Sequence, residues 1–180
     1  MGRNASEILS FLISFLHSLL WSAVFLVAIP LLIVKHTGYR VSLLSLSAGA
    51  FLVGAGTVLF LRAISDLSRR GGTTTVLKKA ERLVREGVYR FTRNPVYLSV
   101  ILISSGEAVA LQSLGLLLYT SVLFLGLHGW LLLYEEPLLR RTYGPEFERY
   151  CRQVPRWVAF PHIWTCWGRR RRNRFFRLSP

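Results

Sequence analysis

Glu86-Gly87-Val88-Tyr89-Arg90-Phe91-Thr92-Arg93-Asn94-Pro95-Val96-Tyr97-Leu98 is where a basic segment gives way to an apolar one. Upstream, Arg62 to Arg93 holds nine of the 23 Lys and Arg residues of the chain. Downstream, Pro95 to Leu111 contains a single charge, Glu107. A proline in the first turn of a helix gives up an N–H that would have no intrahelical partner, so the spacing predicts an apolar helix starting at Pro95. The residue before a proline is pushed towards extended backbone, which leaves the Asn94 amide to turn towards a ligand. A second polar cluster, Tyr134-Glu135-Glu136-Pro137, closes the next apolar run, Leu116 to Tyr134. Gln112-Ser113 with Gly115 forms the tight turn between the two runs, which makes them antiparallel neighbours. Both polar clusters are therefore expected at one end of one helix pair.

Two further apolar stretches precede this pair. Residues 8–34 and 41–61 are each long enough to cross a bilayer, which takes about 20 residues. Pro30 is expected to kink the first. In the second, Ala50 and Gly54 stand one turn apart and permit close helix approach, and Gly54-Ala55-Gly56 could instead admit a ligand to the backbone. The reading is thus an all-α integral membrane protein with about four spans, at 8–34, 41–61, 95–111 and 116–134, in one domain over 1–168 with a basic tail at 169–180. The first stretch is too long for a signal-peptide core and is taken as a retained span.

Charge sets the expected orientation. Nine basic residues in Arg62–Arg93 and eleven after Glu135 account for 20 of the 23, and the turn at 112–115 has none. By the positive-inside rule both polar segments and both termini face the cytoplasm, most naturally at a prokaryotic plasma membrane. The net charge of +14 suits anionic lipid headgroups, because the charges flank apolar spans; nucleic acid is not expected as a partner. Gly71 to Thr75 reads as a loop, Leu77 to Val84 as a short amphipathic helix lying on the headgroups, and Pro145 to Arg152 as a helix capping the site from below. Cys151 and Cys166 form no CxxC pair, so neither a disulfide framework nor a metal site is indicated.

The paired acids oppose an anionic membrane surface, and ion pairing with Arg140 and Arg141 is their simplest structural role. His128 lies seven residues before Glu135, two turns along the same α-helical face, and would point into the same cavity. Glu107 sits far from both clusters and is assigned to interfacial exposure or helix pairing.

Gly87-Val88-Tyr89-Arg90, Arg93-Asn94-Pro95-Val96-Tyr97, Glu135-Glu136, Tyr143-Gly144, and Tyr150 with Val154-Pro155-Arg156 resemble, in order and spacing, the isoprenylcysteine carboxyl methyltransferase and phospholipid methyltransferase superfamily. The resemblance covers about the second half of the chain. It implies a multi-span membrane enzyme that holds S-adenosylmethionine between the two clusters. Cofactor binding carries over to Tyr89, Arg93, Asn94, Pro95, Tyr97, Glu135 and Glu136. Many members have histidine where this chain has Asn94, so no general base can be placed there. Methyl transfer needs positioning and water exclusion more than acid–base groups. A carboxylate acceptor of the prenylated-cysteine kind would need only a cation such as Arg90 or Arg156. An amine acceptor, as on a phospholipid headgroup, would need a base such as His128 or Glu136. The abundance of arginine favours the carboxylate. A non-catalytic membrane anchor with a lipid-binding tail, Arg169 to Arg177, is the alternative from another class.

Overall fold

The computed structural model describes Leu20 and residues 23–69 and 83–158. Their regular structure is helical throughout, with no strand among the described residues. Helix α1 is Val24–Thr37, α2 is Leu43–Arg69, α3 is Pro95–Ala110, α4 is Leu114–Tyr143 and α5 is Pro145–Gln153; a 3₁₀ turn, Gly87–Arg90, precedes α3. Most of the span expected at 8–34, the Gly71–Thr75 loop and the tail at 169–180 lie outside the described residues. So does the amphipathic helix expected over 77–84, except for Leu83 and Val84, which are not helical.

Two of these helices, α2 and α4, are long and apolar enough to cross a membrane. Their outward faces are oily: Leu43 is 85% exposed, Phe51 75% and Val122 68%. Between the helices the contacts are made by small and hydroxylated residues, with Ser99 and Ser104 fully buried and Ser104 bonded to Thr120 across α3 and α4 at 2.8 Å. Apolar outside and small or hydrogen-bonded inside is the pattern of helices packed in lipid. Helix α3, with 16 residues, is only about 24 Å long.

Helices α2 and α3 run antiparallel in very close contact. A Cβ on Gly49 would fall 2.5 Å from the Ala110 Cβ, and one on Gly56 would fall 2.7 Å from Ile103. Small residues do set this packing, but on the Gly49–Gly56 face; the expected Ala50 and Gly54 look outwards, and Gly54 has open space around it. At the far end the 38–42 turn is stitched to the 111–113 turn. Arg40 N–H donates to the Leu111 carbonyl at 3.0 Å, Gln112 Nε2 to Ser42 Oγ at 2.9 Å and Ser45 Oγ to the Ala110 carbonyl at 3.2 Å. Gly115 lies in α4 rather than in the turn, where Gln112 instead takes the positive φ of 45°.

Helices α1 and α4 each contain one π turn, and in both a proline explains it. Ile29 N–H reaches the Val24 carbonyl just before Pro30, and Glu136 N–H reaches the Leu131 carbonyl just before Pro137. Proline lacks an N–H and its ring crowds the carbonyl four residues back, so widening the preceding turn relieves the clash. The Phe25 carbonyl, which a π-pattern bond from residue 30 would have met, accepts from the Tyr119 hydroxyl at 2.7 Å. Through Pro137 the last span continues as helix to Tyr143, well past the expected end at Tyr134.

Candidate functional site

The two polar clusters meet at the end of the bundle opposite the stitched turns. Tyr97, in the first turn of α3, donates its hydroxyl to Glu135 Oε2 on α4 at 2.7 Å. Glu136, only 6% exposed, receives three contacts from arginine. Arg156 donates Nε to Oε1 at 2.7 Å and Nη2 to Oε2 at 2.8 Å, the planar two-point geometry favoured by guanidinium and carboxylate. Arg93 Nη1 lies 3.2 Å from Oε1 and also donates to Cys151 Sγ at 2.6 Å. The bond to Glu136 raises the Arg156 guanidinium above its ordinary range, whereas burial raises the Cys151 thiol despite the lowering field of Arg93. Arg140, expected as a partner of the acids, instead pairs with Glu148.

The adjacent acids have separate surroundings because the π turn inserts about one residue into α4. The face of His128 is therefore continued by Glu136, not by Glu135. Consecutive residues of the 154–157 segment show this: Arg156 binds Glu136, while Trp157 Nε1 donates to His128 Nδ1 at 3.1 Å and packs on Phe124 with ring centroids 5.1 Å apart. His128 is thus covered by Trp157 rather than open to a cavity beside Glu135.

Backbone contacts fix the 87–94 segment. Arg93 N–H donates to the Pro155 carbonyl at 2.9 Å, and Thr92 Oγ1 and Asn94 Nδ2 both donate to the Arg156 carbonyl, at 3.1 and 3.0 Å. The Asn94 amide, expected to face a ligand, is buried and spent on this strap. Pro95 is fully buried beneath it. The Tyr89 carbonyl accepts from the Tyr150 hydroxyl at 2.7 Å, so α5 does pack against this segment, with Phe147 and Tyr150 buried. Burial raises both phenols, Tyr89 and Tyr150, so both stay protonated. Asp66, from the end of α2, accepts the Val88 N–H at 2.9 Å. Arg90 stands apart: it is exposed and lies over the Phe91 ring.

Tyr89, Arg93, Asn94, Pro95, Tyr97, Glu135, Glu136 and Arg156 thus form one cluster, with His128 at its deeper edge and Arg90 outside it. Sequence reasoning missed Asp66, Cys151 and Trp157, whose partners are set by the fold and carry no local signal. What the cluster offers is a buried carboxylate held by two guanidiniums, a second carboxylate bonded to a phenol, and one donor, Arg93 Nε, that is buried with no partner among the described residues.

The family model described as phospholipid methyltransferase matches residues 44–146, from the first turn of α2 into the start of α5. No curated protein and no solved structure matches the chain. The matched stretch covers more than half of the 180 residues and contains both polar clusters, the 3₁₀ turn and the π turn that separates the two acids. The chain belongs to the phospholipid methyltransferase family, whose members are membrane-associated methyltransferases acting on lipid.

Proposed function

We propose that this protein transfers a methyl group from S-adenosylmethionine to a lipid-like acceptor at the cytoplasmic face of the membrane, with the cofactor against the 89–97 segment and the Glu135–Glu136 pair. The observation that carries the reading is the meeting of Tyr97 with Glu135 and of Arg93 with Glu136 at one end of the α3–α4 pair. The donor set fits the cofactor. Arg93 has a buried N–H to give to a carboxylate, and Tyr97 and Glu135 can bond to an ammonium or to ribose hydroxyls. The cofactor, when bound, supplies a methyl group already attached to a sulfonium leaving group. What remains for the chain is to orient the acceptor and to exclude water, the latter through the strap at 154–157 and the aromatic trio Phe124, His128 and Trp157.

Of the two acceptor chemistries, a lipid amine has the better geometric support. A carboxylate acceptor needs an available cation, yet the charge of Arg156 is already paired with Glu136 through its Nε–Nη2 edge, and Arg90 is exposed over the Phe91 ring. Glu135 has no salt bridge among the described residues and can take up an ammonium or its proton. The test is calorimetric binding of the cofactor to detergent-purified protein, followed by transfer of labelled methyl to aminophospholipids and to prenylated cysteine. Absence of cofactor binding would sink the reading. Label released by mild base as methanol would assign a carboxylate acceptor instead.

A further inference from the structure

Besides the Arg93 side-chain contacts to Glu136 and Cys151, the 87–94 segment is held, among the described residues, at three points from the C-terminal half of the chain and at one point from the first half. Tyr150, the Pro155 carbonyl and the Arg156 carbonyl make the first three. The fourth is Asp66 Oδ2, which accepts the Val88 N–H at 2.9 Å. Helix α2 has 27 residues, about 40 Å of helix against a hydrocarbon core of about 30 Å. Its last turns deliver Asp66 to the level of the 3₁₀ turn. Beneath this contact, Ala63, Val84 and Tyr89 are buried together, with Leu67, Val88 and Val96 packed around them.

The reciprocal observation is Gly87. It has φ of +63°, and a Cβ built there would lie 1.9 Å from Asp66 Oδ2 and 2.3 Å from the carboxyl carbon. Glycine is thus required twice over, by its backbone conformation and by the carboxylate pressed against it. A carboxylate that closes on a bare backbone and takes the next N–H defines where the turn begins, and with it where Tyr89 and Arg93 stand.

We propose that Asp66 is a positioning residue for the methyltransferase site: its carboxylate locks the start of the 87–94 segment and so sets Tyr89 and Arg93, acting through the backbone and not on substrate. The assignment rests on the functional reading above only for its effect on activity. The decisive readout is independent of it: amide hydrogen exchange at residues 88–93 in the full chain in detergent, measured beside cofactor affinity, the KM for cofactor and the thermal midpoint.

Asp66→Ala should speed exchange across 88–93 and weaken cofactor binding about tenfold, the size expected for one hydrogen bond to a charged acceptor, raising the cofactor KM more than it lowers kcat. Asp66→Asn, which keeps an acceptor oxygen, should restore most of both. Gly87→Ala should be at least as damaging as Asp66→Ala, and the double variant should lose less than the sum, because the carboxylate that the new methyl would strike is gone. Unchanged exchange in Asp66→Ala overturns the proposal, as does equal damage in the Ala and Asn variants or strict additivity in the double variant. Should Asp66→Ala fail to fold, near-normal exchange in Asp66→Asn with fast exchange in Gly87→Ala supports the lock, and fast exchange in Asp66→Asn overturns it. A wild-type protein that binds no cofactor would defeat the functional reading, while the exchange data would still decide the role of Asp66.

Discussion

At the scale of single residues, Glu136 is the electrostatic centre of the site. It pairs with both Arg93 and Arg156, and its field also raises the Cys151 thiol, whereas Arg93 lowers it. Glu136→Gln removes the raising field and leaves the guanidiniums, so the thiol should become more acidic. Cys151 should then react faster with iodoacetamide at pH 7.5, because the thiolate is the reactive form; slower or unchanged alkylation would mean that Glu136 and Cys151 are not coupled. The same substitution should lower stability by about 1.5–3 kcal/mol through loss of charge-assisted hydrogen bonds. Asn94 gives a second residue-scale test. Its Nδ2 donates to the Arg156 carbonyl, so Asn94→Asp, which has no donor there, should loosen the strap as much as Asn94→Ala, whereas Asn94→His keeps a ring N–H that can donate. Amide exchange at residues 154–157 should rise in the first two variants and less in the third; equal protection in all would deny the strap its anchor. That role was invisible in the sequence. Residue type and the following Pro95 predicted a free amide, but the partner is a carbonyl 62 positions away in sequence, and only the fold brings it there.

At the scale of elements, the π turn at Leu131–Glu135 decides which acid meets which partner. Glu135 turns to Tyr97, and Glu136 to the arginines, in line with His128. Counting 3.6 residues per turn from His128 selects Glu135; the true continuation is Glu136, because Pro137 forces a wider turn that regular periodicity cannot contain. The cue was in the sequence as Pro137 directly after the paired acids, and the expectation of a helix end at Tyr134 passed over it. Pro137→Ala restores the missing N–H and permits a regular α-helix through this point. The prediction is a gain in thermal midpoint together with loss of cofactor binding, as the turn regularises and carries both acids about 100° around the axis. A variant that binds cofactor as tightly as the natural protein would show that the π turn has no part in the site. The α2–α3 contact was legible in kind, since a glycine-rich span announces close packing. Its face was not: three of the small residues, Gly49, Gly54 and Gly56, differ only in what stands opposite them, and that is Ala110, open space and Ile103 in turn.

At the scale of the whole molecule, helical class, the apolar runs and the pairing of the two clusters were legible because lipid imposes strict rules on length and polarity. The bounds of α3 were read to within a residue, as Pro95 fixes its start and the polar Gln112-Ser113 pair its end. What the chain does with its last described residues was not legible, since the partners of Arg156 and Trp157, Glu136 and His128, lie 20 and 29 positions back in sequence and only the fold brings them together. The proposed topology has a consequence that any rearrangement of the bundle would break. The turns at 38–42 and 111–113 are joined directly, by Arg40 to Leu111, Ser42 to Gln112 and Gly38 to Ser113, at the end remote from Glu135 and Glu136. If 20 of the 23 basic residues hold the opposite end in the cytoplasm, both turns must lie outside together. Single cysteines at residues 39 and 114, exposed positions beside the two turns, placed in a background with Cys151 and Cys166 replaced by serine, should both be labelled in intact cells by a membrane-impermeant maleimide, and a cysteine at residue 141 only after lysis. Labelling at 39 without 114 would break the four-span arrangement, because an odd number of crossings would then separate two turns that the structure holds in hydrogen-bond contact. Labelling at 141 in intact cells would invert the site and put the proposed cofactor pocket on the side of the membrane where the cell does not supply the cofactor.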